Sequence, residues 1–155
     1  MVRPIPERYG SVTPHLVVRD AARAAEFYKQ ALGAEILFRL PGLDGKTLLH
    51  AELRIGDSIV LLGEESIEAQ YLSPLSLGGA SITLTLYCAD TDTAFSQAVA
   101  AGGVALQQPS DMFWGDRFAQ IKDPYGHIWS FATHVRDVTQ TEMREALQRM
   151  SKQEE

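Results

Sequence analysis

The sequence is poor in several features that would assign it to a class of function. It has a single cysteine, Cys88, which excludes an intramolecular disulfide. Its 14 Lys and Arg residues are scattered and are outnumbered by 20 Asp and Glu residues, so the net charge is −6. Recognition of phosphates needs clustered basic residues, and we therefore expect no nucleic-acid partner.

Long apolar runs are also missing. No stretch approaches the roughly 20 apolar residues of a membrane helix, and the first residues lack the apolar core of a signal peptide. We therefore expect a cytoplasmic protein without a membrane partner. The sequence has no Gly-x-Ser-x-Gly elbow, phosphate-binding loop or dinucleotide fingerprint. At 155 residues and 45% hydrophobic content, it predicts one globular domain with a substantial core.

The sequence does contain an internal repeat at a spacing of 70 residues. The identical pairs are Thr13/Thr83, Leu16/Leu86, Asp20/Asp90, Ala24/Ala94, Ala31/Ala101, Gly33/Gly103 and Gly56/Gly126. Each copy has an apolar strand, a helix that begins after the Asp, a Gly, and further strands. Two copies of one unit would bury their apolar faces against each other. We predict an α+β fold of two βαβββ modules, at about residues 12–64 and 80–135, forming a cupped mixed sheet with the helices outside.

Local patterns predict the elements and their faces. Alternation over Thr47–Ile55 places Leu49 on an apolar face, and His50 and Glu52 on the opposite face. Residues 63–80 read as a loop between the modules. Residues 136–155 form a helical tail, in which Thr139 and Glu142 fit a capping box. Its apolar stripe of Met143, Ala146, Leu147 and Met150 is expected to pack on its own domain or on a partner.

Several motifs resemble one family. They are Thr13–Val18, Phe27-Tyr28, Leu32–Glu35, His50–Asp57, Gly115–Arg117, Asp123–His127 and Ala132–Val135. They are similar to the vicinal-oxygen-chelate superfamily of glyoxalases, bleomycin-resistance proteins and dioxygenases, and most similar to its PhnB-like branch. The resemblance covers about residues 12–135. It implies a homodimer and leaves the reaction open, because the superfamily holds isomerases, dioxygenases, thiol transferases and binding proteins without catalytic activity.

The resemblance also implies where a metal would be bound. Catalytic members hold a divalent metal with side chains from the first and last strands of each module. The matching positions here are Thr13, Val60, Thr83 and Ser130. Hydroxyl groups are weak ligands and Val cannot coordinate, so we expect no metal cofactor at these positions. A register shift of two would bring in His15, but with Thr85, Leu62 and Ala132. A displaced site of His15, His50 and Glu52, holding Zn, Fe, Mn or Ni, remains as the alternative.

These observations favour a protein that binds a small organic molecule in the cup of the sheet. The expected lining residues are His15, His50, Glu52, Thr83, Thr85, Trp114, Gln120 and Ser130. The alternative is a metal-dependent lyase, isomerase or dioxygenase that uses the displaced site, and in a third reading Glu52 or His15 acts as a general base without metal. Elsewhere, Asp116 and Arg117 are expected to pair at a turn, and His134 to lie at the surface.

Overall fold

Each half of the chain folds into a four-stranded mixed sheet with one helix packed on it. The structure is a computed structural model that describes residues 2–153. The first half contains β1 (His15–Val18), α1 (Ala21–Leu32), β2 (Glu35–Pro41), β3 (Leu48–Ile55) and β4 (Ser58–Glu64). A short helix, α2 (Pro74–Leu77), follows. The second half contains β5 (Thr83–Tyr87), α3 (Thr91–Ala100), β6 (Val104–Asp111), β7 (Asp116–Lys122) and β8 (Ile128–His134), before α4 (Gln140–Ser151).

The two sheets have the same topology. Their strand orders are β1-β4-β3-β2 and β5-β8-β7-β6. The β1–β4 and β5–β8 pairs are parallel, and the other pairs are antiparallel. The prediction of two βαβββ repeats in an α+β fold is confirmed.

Equivalent aspartates begin the helices α1 and α3. The Asp20 side chain accepts a hydrogen bond from the Arg23 amide at 3.2 Å, and Asp90 accepts one from the Thr93 amide at 3.0 Å. Each satisfies an amide that the first helical turn leaves free. The repeated aspartates in the sequence therefore mark the starts of equivalent helices.

The two modules share one hydrophobic core. The helices α1 and α3 contact each other, and the buried cluster includes Leu53 and Leu62 of the first sheet with Ile121 and Phe131 of the second. The face of each sheet that bears its helix therefore points toward this common core. Because side chains alternate along a strand, the opposite faces of the two sheets point away from it.

Two predictions about the first half were wrong. Leu49 does not share the buried face, since it is 49% exposed while Leu48 is 5% exposed. Strand β2 pairs Leu40 with His50 and then Pro41 with Leu48, and this irregularity leaves Leu49 without an opposite residue. The stretch 63–80 is also not a simple loop, because β4 continues to Glu64 and α2 forms at residues 74–77.

The C-terminal helix begins as predicted. Thr139 and Glu142 form a reciprocal capping box. No residue of α4 is buried: Met143 and Ala146 are partly covered, whereas Leu147 and Met150 are each 51% exposed. Among those residues, no helix is both long and apolar enough to cross a membrane.

Candidate functional site

The face of the first sheet that points away from the core carries His15, His50 and Glu52. His15 on β1 is paired with Leu61 on β4, and Leu61 is paired with Glu52 on β3. His50 lies two pairs further along, opposite Gly63. These positions alternate with the buried residues Ala51 and Leu62, so we call this surface the first cup face.

His15 is held by a tyrosine that sequence reasoning missed. The Tyr71 hydroxyl lies 2.9 Å from His15 Nε2. Tyr71 comes from the segment read as a loop, where backbone hydrogen bonds with Ser66 fix its position. A Cβ on Gly63 would lie 3.0 Å from His15 Nε2 and 3.1 Å from the Tyr71 hydroxyl, so glycine provides the room for this contact.

The imidazole of His15 favours its neutral form. Burial, together with the neighbouring His50, lowers the pKa of His15 below its usual value of 6.5. The two imidazole rings lie 5.5 Å apart between centroids, at 85° to each other. Burial also raises the pKa of Tyr71, which keeps its hydroxyl protonated. The pair is therefore a hydrogen-bonded, uncharged acid–base unit near neutral pH.

Glu52 lies beside this pair with aromatic groups around it. Phe38 of β2 is its neighbour in register, and the rings of Phe38 and His50 lie 6.5 Å apart. Glu52 also acts on Tyr9 of the N-terminal segment, since the neighbouring carboxylate raises the pKa of Tyr9 to about 12. Among the ion pairs of residues 2–153, none includes Glu52.

The corresponding face of the second sheet carries uncharged polar groups. Thr85 on β5 is paired with Ser130 on β8, and Ser130 with Gln120 on β7. Gln120 Nε2 donates a hydrogen bond of 3.1 Å to Ser130 Oγ. Ser130 is buried, whereas Thr83 and Thr85 are exposed. We call this surface the second cup face.

Aromatic rings lie beside the second cup face. The Trp114 ring lies 5.7 Å from that of Phe118 and 5.1 Å from that of Phe113. Phe118 precedes Gln120 by two residues on β7 and therefore shares its face. The predicted lining residue Trp114 thus lies next to the face that carries Gln120 and Ser130.

The two cup faces do not meet within one chain. Among residues 2–153, no side-chain hydrogen bond or ring contact links the His15, His50 and Glu52 group to the Thr85, Gln120 and Ser130 group. Between the modules lies a mainly apolar cavity of about 430 Å³, lined by residues including Leu16, Leu72, Ile82 and Leu84, with His15 at its edge. Each chain therefore presents two separate half-cups.

The cup-facing positions do not fit the usual metal site of the superfamily. On the first and last strands of each module, the paired residues facing the cup are His15 with Leu61 and Thr85 with Ser130. Of these four residues, only His15 has a side chain that is a strong metal ligand. The predicted position Val60 is wrong, because Val60 is paired with Leu53 and buried in the core. The hairpins β3–β4 and β7–β8 differ in turn length, so the spacing of 70 residues does not hold at the last strands.

The other two predicted positions also make no ligand set. Thr13 lies before β1, and its hydroxyl donates to the Gly10 carbonyl at 3.1 Å. Thr83 is two residues before Thr85 on the second cup face. Within residues 2–153, no group of three His, Cys, Asp or Glu side chains is arranged to hold a metal ion.

The predicted pair of Asp116 and Arg117 was also wrong. Arg117 contacts Asp92 of α3 at 2.6 and 2.8 Å, whereas buried Asp116 accepts a hydrogen bond from the Tyr87 hydroxyl at 2.9 Å. Neighbouring strand residues point to opposite faces, so the two side chains separate. His134 is 54% exposed at its side chain, but its ring nitrogens also contact Asp116 at 2.9 Å and Asp137 at 3.0 Å.

Comparison with known proteins identifies the family of this fold. A curated relative, the uncharacterized protein Rv0887c of Mycobacterium tuberculosis, is 41% identical over 140 residues, covering 88% of this chain and 82% of the relative. Among solved structures, TioX from Micromonospora sp. ML1 has a TM-score of 0.63 at 26% identity, with 84% of this chain and 100% of TioX covered. The Arabidopsis thaliana gene product AT5G48480 has a TM-score of 0.66 at 26% identity, covering 80% and 98% of the two chains.

The family profile matches most of the chain. Residues 8–131 match the Glyoxalase/Bleomycin resistance protein/Dioxygenase superfamily. The match spans the first βαβββ module and the second as far as Phe131 in β8, so it includes Ser130 and the other residues named on both cup faces. The chain belongs to the Glyoxalase/Bleomycin resistance protein/Dioxygenase superfamily.

Proposed function

We propose that this protein binds a small organic molecule in its cup and does so without the usual metal of the superfamily. The observation that carries this proposal is the pair of cup-facing sets, His15 with Leu61 and Thr85 with Ser130. At these positions, where metal-binding members of the superfamily carry ligands, the chain has groups suited to hydrogen bonds and apolar contact. Aimed polar groups among apolar and aromatic walls are typical of small-molecule sites.

A second copy of the chain completes each cup. The two half-cups point away from the common core, and their faces expose Phe38 (47%), Leu40 (47%) and Tyr87 (63%). Exposed apolar groups on a polar face indicate that the face binds a ligand or a partner chain. In a two-fold homodimer, the first cup face of one chain lies opposite the second cup face of the other, giving two sites. We also propose that the protein is a member of the PhnB-like branch, whose motifs its sequence resembles.

Affinity selection tests this function. The protein is incubated with a pooled extract of small metabolites and passed through gel filtration, and the retained compounds are identified by mass spectrometry after denaturation. We expect a compound that is retained by the wild-type protein and lost in both His50→Leu and Gln120→Leu. Glu68→Gln, an exposed change outside the cup, is the matched control. No retained compound, or equal retention by the cup variants, would overturn the proposal.

A second candidate is catalysis by His15 as a general base on a carbon acid. The lowered pKa of His15 and its hydrogen bond to Tyr71 favour it, because a base must be unprotonated near the working pH. His15 takes the substrate proton, and Tyr71 fixes the ring. The test is deuterium uptake from D₂O into the retained compound, which should occur with the wild-type protein and not with His15→Gln. No uptake with the wild-type protein would exclude this candidate.

A further inference from the structure

Among the described residues 2–153, the ion pairs around the first cup face do not include the carboxylate of Glu52. Arg54 lies two residues from Glu52 on β3 and shares its face, but its guanidinium is paired with Glu35. Arg39 of β2 points to the opposite face, where it is paired with Glu26 of α1. Glu52 itself is half-buried. The neighbouring phenol of Tyr9 carries no charge, because Glu52 raises its pKa to about 12. A partly buried carboxylate attracts a cation more strongly than an exposed one, because less water screens it.

Aromatic rings lie on the same face of the sheet as Glu52, and Phe38 is its partner in register. The His15 ring lies 5.5 Å from that of His50 and 5.7 Å from that of Tyr71, and Phe38 lies 6.5 Å from His50. The π-face of an aromatic ring attracts a cation within about 6 Å of its centre. The lowered pKa of His15 keeps its ring uncharged near neutral pH, so His15 adds no repulsion.

We propose that Glu52 and the rings of His15, His50, Phe38 and Tyr71 form a subsite for an organic cation, the ammonium or guanidinium group of the bound molecule. This inference rests on the proposed function and names the chemical class of its ligand. The carboxylate supplies the charge, and the rings supply a surface that a bulky, weakly hydrated cation contacts better than water does. An anionic group at this position would face Glu52 directly and is therefore disfavoured.

Tyr9 is compatible with an occupied subsite. Its phenol is uncharged and therefore does not compete with a cation for Glu52 by charge. A carboxylate has two oxygens and about four acceptor positions, so Glu52 can accept a donor from the ligand in addition to a neighbouring hydroxyl.

Three probes of the same shape and different charge test the inference. They are choline, its uncharged carbon analogue 3,3-dimethylbutan-1-ol, and the anion 3,3-dimethylbutanoate. Each is titrated into the full-length protein, and binding is followed by the NMR signals of the His15 and His50 rings, assigned with His15→Gln and His50→Gln. We expect choline to bind at least roughly tenfold more tightly than the alcohol, and the anion to bind most weakly.

Variants of the protein distinguish the contribution of the Glu52 charge to binding from that of the aromatic rings. Glu52→Gln should abolish the preference for choline over the alcohol. Phe38→Leu keeps an apolar side chain without the ring and should weaken the binding of choline several-fold. Glu68→Gln removes the same charge outside the cup and should change neither affinity. Equal binding of choline and the alcohol, or a preference that survives Glu52→Gln, would overturn the cation subsite.

Failure of the subsite is distinguishable from failure of the proposed function. Equal perturbation of the His15 and His50 signals by choline and the alcohol would contradict the cation preference while supporting a cup that binds small molecules. No perturbation by any probe would overturn the subsite, and the affinity selection would decide the function independently.

Discussion

The Tyr28 hydroxyl donates a hydrogen bond of 2.5 Å to Asp123, and this contact joins the helix of the first module to a turn of the second. Asp123 also accepts from the Trp129 indole at 3.0 Å and from the amides of Tyr125 and His127. Tyr28 is completely buried. One carboxylate therefore shapes the β7–β8 turn and anchors the two modules of one chain to each other. This fixes the directions in which the two cup faces point.

The hydrogen bond between the modules should contribute measurably to stability. Tyr28→Phe leaves the buried Asp123 carboxylate without one of its donors, and we expect a loss of about 1–3 kcal/mol in the free energy of unfolding. Urea denaturation measures it. Tyr125→Phe is the control, because Tyr125 packs in the same aromatic group without a hydrogen bond from its hydroxyl among residues 2–153. An equal loss in the two variants would show that the hydroxyl of Tyr28 contributes nothing specific.

Gly115 should not tolerate a side chain. Its φ is +102°, and a Cβ would lie 2.1 Å from the Arg136 carbonyl oxygen. Gly115→Ala therefore either displaces the segment that leads to α4 or unfolds the second module, at a cost above ~3 kcal/mol. Gly45→Ala, at φ +66° with no atom within 4 Å, should cost only about 1 kcal/mol. Thermal melts of the two variants compare them, and similar melting temperatures would contradict the close approach at Gly115.

Glu65 should make the protein sensitive to acid. Its carboxylate accepts hydrogen bonds from the Ser73 amide at 2.6 Å and from Arg19 Nε at 3.0 Å. The pKa of Glu65 is lowered from 4.5 to about 2, and the hydrogen bonds with Ser73 and Ser76 are the largest causes. A lowered pKa in the folded state contributes stability above pH 4.5, which is lost as the pH falls toward 2. The difference in unfolding midpoint between wild type and Glu65→Gln should thus shrink over that range. A constant difference would contradict this role.

His134 should titrate above its usual range. Hydrogen bonds with Asp137 and Asp116 raise its pKa above 6.5. A raised pKa contributes stability below pH 6.5, which is lost as the pH rises through the raised value. The NMR titration of the His134 ring measures the pKa directly, and Asp137→Asn should lower it. Because the side chain is more than half exposed, the effect on stability should be small. An unchanged pKa in Asp137→Asn would contradict the contact.

The sequence predicted the elements where local chemistry decides them. Asp20, Asp90 and the capping box of Thr139 act on amides within a few residues, so their roles can be read from spacing alone. The alternation that placed His50 and Glu52 opposite buried residues also follows from the strand itself. The site residues missed by this reasoning depend on long-range contacts. Tyr71 reaches His15 across 56 positions, and only the fold brings the two together.

The predicted metal position at Val60 was wrong for a related reason. The repeat spacing of 70 residues does not hold along the last strands, because the β3–β4 and β7–β8 turns differ in length. A change of one residue moves a side chain to the other face, and so Val60 replaced Leu61 in the prediction. The sequence was therefore enough to predict the number and order of the elements. The face on which each residue lies could be assigned only from the observed strand register.

Native mass spectrometry of the untagged protein, purified without chelators or added metal, tests the central claim most directly. The claim is that two chains together form cups that bind a small organic molecule without the usual metal. We predict the mass of a dimer with no stoichiometric metal, carrying a small organic adduct in at least part of the population. A monomer would contradict the shared cup. Stoichiometric Zn, Fe, Mn or Ni that is lost in His50→Ala or Glu52→Ala would contradict the metal-free site.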